Sequence, residues 1–488
     1  MSTVRRSLLL SIADSYLGLV LQLASTMIIA RVLTPKEVGI YAVAAVFSGL
    51  ASMFRDFGVA EYLIQEKELT PNKIAAALSL NIIVSWSMAA MMFLGAPLAA
   101  SFYGDPGIAE VMRLQSVGFL MVPFGAVTMA YFRRELNFRP VLICNVMGNI
   151  TAFAVAVCLA LLGFGYMSLA WSSLAALAVT VGGSMFFRPQ HFPRWPSLKG
   201  VSQVFQFSKF VSLMYIFGQV GKGAPEMIIG RSEGVVAVAM FSRANGLVEM
   251  FNRLAMRPVM MVCMPYFAQS DRDHGHVNVA YLRSVSYLTA LGWPFLAFMG
   301  LASLSAIRIV YGPQWDAAAP LARILCAACA LELVHVMSRE ALLSRGEARA
   351  ANATQIGVLA LQLLGLMAVV PFGLEGAAWG VFAASGLGIF VSQWNLRRIG
   401  VKTYAVVVAC SPSLLLTLVS VAPAALWMAT SGVGEGEHLA FGAIGFVVTA
   451  ATWFALLLAT GHPLGVEVST ILRNTWARFR ASRNVAEP

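Results

Sequence analysis

Long apolar runs are the feature of this sequence that most restricts its fold. Segments of about 20 or more mostly apolar residues follow one another along most of the 488-residue chain, and each could cross the ~30 Å hydrocarbon core of a bilayer as a helix. Hydrophobic residues make up 59% of the chain and charged residues 12%, and the mean hydropathy is +0.75. The runs are continuous rather than alternating, which does not fit a membrane β-barrel. The sequence therefore predicts an all-α polytopic membrane protein.

The apolar runs predict about fourteen transmembrane helices. The first run follows Arg5 and Arg6 and is too long for the apolar core of a typical signal peptide, so we expect it to be retained as a span. The approximate spans are 7–30, 39–57, 74–102, 108–132, 140–162, 165–187, 208–229, 235–267, 279–303, 317–343, 352–372, 376–396, 403–429 and 439–460.

The distribution of lysine and arginine predicts the orientation. If the N-terminus is cytoplasmic, 24 of the 34 lysines and arginines fall in cytoplasmic segments and 6 in outer segments. This asymmetry follows the positive-inside rule and places both termini in the cytoplasm. It also explains the net charge of +11 without nucleic-acid binding, because the basic residues are dispersed among short loops. Four basic residues remain inside spans: Lys222, Arg243, Arg253 and Arg257.

Internal similarity predicts two halves. The segment Met27–Asp56 resembles Met227–Arg253, and "RRELNF" (Arg133–Phe138) resembles "SREALL" (Ser338–Leu343). Each pair lies six spans apart, so the halves would be parallel repeats about an axis along the membrane normal. The predicted organisation comprises two six-helix lobes, an interfacial cytoplasmic linker, two further helices and a basic cytoplasmic tail. Their bounds are 1–187, 188–207, 208–398, 399–460 and 461–488.

Three arginines inside the eighth span raise the question of function. At 100° per residue, Arg243, Arg253 and Arg257 lie within about 80° of one another on a helix. Arginines facing lipid at mid-depth are costly, so a shared face predicts a wet cationic cavity, to which we add Lys222 and Arg55. Snorkelling of the long side chains to the membrane surface is the alternative, and it suits Arg257 best. A guanidinium binds phosphate well, so we expect an anionic ligand.

The acidic residues inside spans are candidates for ion or proton coupling or for gating. Each of them could instead pair with a nearby base, as Glu226 could with Lys222 one turn away. These candidates are Asp14, Asp56, Glu226, Glu249 and Glu332.

Motifs for cofactors, metals and catalysis are weak or missing. "GKGAPE" at Gly221 and "GVGEGEH" at Gly432 lack the phosphate-loop pattern, so ATP hydrolysis by this chain is not expected. Cys326 and Cys329 form a CxxC within an apolar run, with no second pair and no histidine at ligand spacing. We predict no cofactor, no metal site and no disulfide framework, and we do not expect an enzyme.

Several segments resemble one family of transporters. The stretch Ala30–Glu68 is similar to the first third of polysaccharide transporters, the Wzx-type flippases of the multidrug/oligosaccharidyl-lipid/polysaccharide superfamily. The resemblance continues in Phe132–Phe138, Val310–Leu325 and Gly461–Val468, and it is strongest to the exopolysaccharide and colanic-acid branch. It covers essentially the whole chain.

The resemblance implies both a fold and a function. It implies a two-lobed alternating-access carrier that moves undecaprenyl-pyrophosphate-linked oligosaccharides across the bacterial inner membrane for exopolysaccharide or lipopolysaccharide synthesis. Membrane lipids are further expected partners, as are a polysaccharide polymerase and a chain-length regulator. Two alternatives stay open at this point. One is a cation-coupled multidrug or other lipid exporter of the same superfamily; the other is a membrane enzyme, against which the short outer loops argue.

Overall fold

Every regular element in the part of the chain that the computed structural model describes is a helix. The described residues are 3–56, 59–189, 192–193, 195–202, 204–206, 223–274, 276–431 and 438–470. The helices are α1 Thr3–Val32, α2 Pro35–Asp56, α3 Val59–Gln65, α4 Pro71–Tyr103, α5 Gly107–Arg134, α6 Phe138–Leu161, α7 Met167–Phe186, α8 (residues 223–232), α9 Gly234–Phe251, α10 Arg257–His274, α11 Val277–Leu301, α12 Ser303–Val310, α13 Ala319–Glu332, α14 Ser338–Ser344, α15 Ala348–Val369, α16 Gly373–Leu396, α17 Thr403–Ser431 and α18 His438–Ala459.

Eleven helices in the described ranges are long and apolar enough to cross a membrane. The other three predicted spans each have an explanation. The first is α1, a helix of 30 residues. The seventh lies largely at 207–222, outside the described residues. The tenth is divided between α13 and α14. The polytopic all-α prediction is confirmed, and the structure is consistent with fourteen spans.

The helices pack into two compact units. One contains residues 1–242 and 310–314, and the other contains residues 243–309 and 315–488. In the first unit α4 packs on α5, α5 on α7, and α6 on α7. In the second unit α11 packs on α13, α13 on α16, and α15 on α16, which is the same set of pairs six spans later. This repetition supports the predicted parallel repeat, with α17 and α18 as the added pair, of which α17 packs closely on α11.

The start of α2 shows how local sequence positions these helices. Thr34 and Glu37 form a capping box: the Glu37 carboxylate accepts from the Thr34 backbone N–H at 2.8 Å, and the Glu37 N–H donates to the Thr34 hydroxyl at 3.4 Å. Pro35 occupies the first helical position, where its missing N–H costs nothing. At Gly39, a side chain would overlap the backbone carbonyl of Val235, so α2 and α9 approach closely only because this residue is glycine.

The tenth span breaks in its middle. Residues 333–337 form turns between α13 and α14, although the sequence predicts one run at 317–343. Two carbonyls near the break accept hydrogen bonds from α11. The Trp293 indole N–H donates to Ala330 at 2.7 Å, and the Tyr281 hydroxyl donates to Val334 at 3.0 Å. In an apolar surrounding such donors are what makes a break tolerable.

The two pairs of similar sequence segments differ in whether the structure places them at equivalent positions. Arg31 and Arg231 both lie at the end of a helix, just before α2 and α9 begin. The second pair does not fall at equivalent places. Arg133–Phe138 spans the end of α5 and the start of α6, with Leu136 at a φ of 54°. Ser338–Leu343 lies wholly inside α14, and the residue equivalent to Leu136 is Gly346, at a φ of 76°. The motif match was therefore a coincidence of composition, although the helices concerned do correspond.

The predicted cytoplasmic linker is anchored to the first unit at several points. Phe192 and Val204 are buried in a core with α3, α4 and α5. The Ser79 hydroxyl on α4 donates to the Ser197 carbonyl at 2.8 Å. The Arg188 guanidinium stacks over the Phe192 ring at 5.6 Å, and burial lowers its pKa. These contacts fix the linker at the end of α4 that begins with Pro71. The bounds of the predicted domains remain a prediction.

Candidate functional site

The arginine-bearing eighth span is helical without a gap from residue 234 to residue 274, and only its winding changes, at one turn. Its length of about 60 Å, at 1.5 Å per residue, exceeds the hydrocarbon core of a bilayer. Asn252–Met256 form a π-helical turn between α9 and α10. Pro258 explains the turn, since it has no N–H to donate to the Leu254 carbonyl. Turns of this kind often occur at functional sites.

The π turn changes the geometry that even helical spacing predicts. A π turn holds more residues per turn than an α-helix, so four residues across it rotate by a smaller angle. The backbone of Arg253 lies within this turn, and Arg257 is the first residue after it. Arg243 lies ten residues before Arg253, about 15 Å along the axis. The structure does not describe the side chain of Arg257, so the predicted common face of the three arginines remains a prediction.

Arg253 is held by an acidic residue of its own helix. Its Nε donates to Oε1 of Glu249 at 3.1 Å, and the two side chains are 33% and 37% exposed. The spacing of four residues is the one at which opposite charges meet on a helix. Glu249 therefore has a structural explanation, which was the alternative to a coupling role. A guanidinium carries five N–H groups in a planar fork, and the Nε–H makes this bond.

Arg243 lies against an aromatic ring in the second unit. The centre of its guanidinium is 5.0 Å from the ring centroid of Trp315, which is fully buried. A cation over the face of a tryptophan is stabilised by about 1–2 kcal/mol. The next residue, Asp316, receives two hydrogen bonds from Arg308 at 2.6 and 3.0 Å. Arg243 thus faces a fixed turn rather than open lipid.

The remaining predicted cationic residues are placed only by their backbone or not at all. Arg55 is the penultimate residue of α2, and the structure does not describe its side chain. Lys222 lies outside the described residues, so its predicted pairing with Glu226 stays a prediction. Arg55 and Arg253 belong to different compact units.

The acidic candidates are spread over both units. Glu226 is half-buried in α8 of the first unit, and Glu332 ends α13 of the second, beside the break. The Glu332 carbonyl accepts from the backbone N–H groups of His335 and Val336. Asp14 in α1 and Asp56 at the end of α2 have side chains that the structure does not describe. A coupling role for any of these residues remains a prediction.

A glutamine clasp at the end of α1 is a feature that sequence reasoning missed. The Gln314 side-chain amide donates to the backbone carbonyls of Ala30 and Leu33, the latter at 3.1 Å. In the opposite direction, the Arg31 guanidinium donates to the Val310 carbonyl at 3.3 Å. All five residues belong to the first unit, whereas Ile309 and Trp315 belong to the second. In the sequence "VYGPQWD" the glycine and proline indicate a turn, but the glutamine gives no local indication of a distant acceptor.

A second missed feature is a buried histidine after α18. The Leu464 N–H donates to Nδ1 of His462 at 3.1 Å, so the imidazole begins the helix at 463–470. Its Nε2 lies 3.3 Å from the hydroxyls of Ser286 on α11 and Ser413 on α17. Since Nδ1 accepts, the proton of the neutral ring lies on Nε2. His462 thereby joins three elements of the second unit, and burial lowers its pKa.

The described residues contain no group of three or more His, Cys, Asp and Glu side chains that could hold a metal ion. All six cysteines are free thiols, and Cys326 and Cys329 are buried in α13. Their surroundings agree with the interpretation of these residues as small apolar packing groups.

Comparison with known proteins decides the family. Residues 28–320, more than half of the chain, match the family described as "Polysaccharide biosynthesis protein". The chain belongs to this family. Among curated relatives, it is 24% identical over 366 residues to the teichuronic acid biosynthesis protein TuaB of Bacillus subtilis, covering 72% of this chain and 73% of TuaB. It is 26% identical to the succinoglycan biosynthesis transport protein ExoT of Rhizobium meliloti, covering 62% of each chain. It is 22% identical to the lipopolysaccharide biosynthesis protein WzxC of Escherichia coli, covering 63% of each.

Solved structures confirm the fold of this polysaccharide biosynthesis family member. The chain aligns with the lipid II flippase MurJ in an inward closed conformation at a TM-score of 0.72 and 13% identity, covering 91% of this chain and 98% of that one. It aligns with an inward-facing multidrug resistance MATE transporter at a TM-score of 0.60 and 14% identity, covering 78% and 94%. The predicted relationship to polysaccharide transporters is confirmed by the family match, and the solved structures confirm the fold alone.

Proposed function

We propose that this chain is a flippase that moves polyprenyl-pyrophosphate-linked oligosaccharide repeat units from the inner to the outer leaflet of the bacterial inner membrane. The observation that carries the proposal is the family match over residues 28–320. Curated relatives of this chain are named for polysaccharide biosynthesis and transport. The fold adds support, since it is the one that MurJ uses. A transporter of this kind needs no catalytic residue, and none is proposed.

Two arginines give the proposal a physical basis. Arg243 and Arg253 lie within the continuous membrane helix 234–274, each oriented by a specific neighbour, Trp315 and Glu249 respectively. Oriented guanidinium groups suit the forked oxygens of a pyrophosphate or of acidic sugars. In the proposed mechanism these groups, with Arg257, Lys222 and Arg55, neutralise the headgroup while the polyprenyl chain stays in lipid. The two halves then alternate access to the site.

The proposed orientation places both termini in the cytoplasm, as the lysine and arginine distribution indicates. Membrane lipids surround the carrier. A polysaccharide polymerase and a chain-length regulator are proposed partners, because repeat units delivered to the outer leaflet need to be polymerised there.

A complementation experiment tests the function. The chain is expressed in a strain that lacks its exopolysaccharide flippase, and surface polymer and internally trapped lipid-linked repeat units are measured at matched protein amounts. We expect restored polymer and a fall in trapped repeat units. Failure to restore polymer in strains with several different repeat units, combined with resistance to cationic drugs, would contradict the proposal and support a multidrug exporter.

A further inference from the structure

The first unit contains a cavity that the transport mechanism does not use. It has a volume of about 500 Å³ and lies between α2, α4, α5 and α8. Along α4 its lining runs from Met88 to Tyr103, about 22 Å at the helical rise. One leaflet of a bilayer contributes about 15 Å of hydrocarbon. The cavity, called the α4 groove below, therefore extends over the depth of one leaflet.

The walls of the α4 groove are apolar and adaptable. Five methionines line it, from α4, α5 and α8, together with leucine, alanine and phenylalanine side chains. Methionine is flexible and polarisable, and it conforms to ligands of irregular shape. Tyr103 carries the polar side-chain atom of the lining, and its hydroxyl already donates to the Met227 carbonyl at 3.2 Å. A sugar or a phosphate would have to lose its hydration in such a groove without replacement hydrogen bonds. A hydrocarbon chain fits.

The α4 groove opens sideways. Leu98, Met91 and Phe102 line it and are 73%, 64% and 55% exposed. At Gly95, in the middle of the groove, an added side-chain carbon would meet no atom within 4 Å. Since α4 is a candidate membrane span, an open apolar face on it meets lipid rather than water. A chain can enter from the bilayer without passing through the carrier.

A positive charge lies at one end of the α4 groove. The Arg231 guanidinium is exposed and centred 5.1 Å from the ring of Phe102, which forms part of the end wall. Arg231 follows Met227 by one helical turn, so both lie on the same face of α8. Arg113, next to the lining residue Met112, is exposed too and stacks over Phe93 at 5.7 Å. The neighbouring Glu233 is exposed, and Lys36 pairs with Asp105 at 3.4 Å.

We propose that the α4 groove binds one acyl chain of an anionic phospholipid whose phosphate contacts Arg231. The apolar wall selects the chain, and the exposed arginine at the end wall selects the negative headgroup. With the orientation proposed above, the lipid comes from the outer leaflet, since α4 ends there. Among the described residues, no arginine of the eighth span lines the groove, and the proposal goes beyond the proposed transport function.

The contact at Gly230 couples the bound lipid to α8. A side chain at Gly230 would approach the Tyr103 ring to 2.9 Å, so α4 and α8 meet at van der Waals distance at the end of the groove. A lipid that fills the groove therefore stabilises the packing of α2, α4 and α8 by covering apolar surface on all three.

The test uses the full-length purified protein and native mass spectrometry. Palmitoyl-oleoyl phosphatidylglycerol and phosphatidylcholine are added separately at matched concentrations, and bound lipid is counted. We expect one phosphatidylglycerol to bind about fivefold more tightly than phosphatidylcholine, the effect of about 1 kcal/mol for one basic residue near an anionic lipid. Gly95→Leu, which fills the groove, should remove this molecule. Arg231→Gln should remove the preference for phosphatidylglycerol but keep one bound lipid.

Two matched variants control the test. Gly182→Leu adds the same side chain at an exposed glycine of α7 where nothing lies within 4 Å, and Arg323→Gln removes an exposed arginine at the same predicted side of the membrane. Both should bind phosphatidylglycerol like the unmodified protein. Without added lipid, all variants should melt at the same temperature. Equal lipid binding by Gly95→Leu and Gly182→Leu overturns the proposal. So does selective displacement of phosphatidylglycerol by undecaprenyl phosphate, which would assign the groove to a polyprenyl chain.

Discussion

Removing the charge of Arg253 separates a structural role from a substrate-binding role, because the two roles differ in magnitude. The pair with Glu249 joins two side chains that are each about one-third exposed, at a spacing of four residues. Pairs of this type contribute about 0.3–0.5 kcal/mol to stability. Arg253→Gln alone would remove the ion pair but keep the negative charge of Glu249. The double variant Arg253→Gln with Glu249→Gln removes both charges and leaves two groups that can still form a hydrogen bond.

The double variant should therefore keep its stability and lose transport. A hydrogen bond between a guanidinium and a phosphate contributes about 1.5–3 kcal/mol. Its loss corresponds to a decrease of about 10- to 150-fold in the affinity for the lipid-linked substrate. Stability should change by no more than about 0.5 kcal/mol, which is a small shift in melting temperature.

The assay compares transport and stability at the same protein amount. Surface polymer and trapped lipid-linked repeat units are measured in the complemented strain across a series of expression levels, and melting is followed by tryptophan fluorescence. Arg323→Gln, at an exposed position of α13, controls for loss of any arginine. Transport by the double variant at the unmodified level would refute the reasoning. A loss of polymer that tracks a lower melting temperature would make the pair structural.

Three further predictions concern stability. His462→Gln should lower the melting temperature above pH 7 by removing contacts to Ser286 and Ser413, and it should flatten the pH dependence of melting. Because burial lowers the pKa of His462, its contribution is complete above the unfolded pKa of about 6.5 and is lost as the pH falls; a pH profile identical to that of the unmodified protein would contradict this. Gln314→Met, which keeps the size of the side chain, should lower stability by about 1–3 kcal/mol through the loss of two hydrogen bonds to the Ala30 and Leu33 carbonyls at the end of α1, measured by melting; no change would show that water replaces them. Arg134→Met should increase amide exchange of α3, whose last carbonyls accept from the Arg134 guanidinium at 2.7 and 3.4 Å, while exchange of α6 stays unchanged. Equal exchange in α3 would contradict the capping role.

The membrane fold could be predicted because it depends on features that are continuous along the chain. Hydropathy located the spans. The start of α2 at Pro35 lies four residues before the predicted span 39–57, although the capping box of Thr34 and Glu37 is readable in the local sequence. The six-span repeat was also visible, although only one of its two pairs of similar segments lay at equivalent positions. Pro258 in principle indicated an irregular helix, but uniform spacing of 100° per residue was assumed across it.

The break in the tenth span could not be predicted from local sequence. The residues of the break, 333–337, contain neither glycine nor proline. The donors that make the break possible, Trp293 and Tyr281, lie on α11, about 40–50 residues earlier in the chain. The candidate site shows the same limit. The pairing of Arg253 with Glu249 follows from helical spacing, whereas the packing of Arg243 on Trp315 joins residues far apart in sequence.

The divided tenth span also has a consequence for biogenesis. It carries Glu332 near the middle of the predicted run at 317–343. On the translocon scale, a charged residue at the centre of a helix costs about 2.5–3.5 kcal/mol, so this segment would partition less well into lipid alone. Trp293 and Tyr281 in α11 are synthesised before the tenth span and donate to its Ala330 and Val334 carbonyls. We expect the ninth and tenth spans to leave the translocon as a pair, and the ribosome to have completed α14 before either one is released.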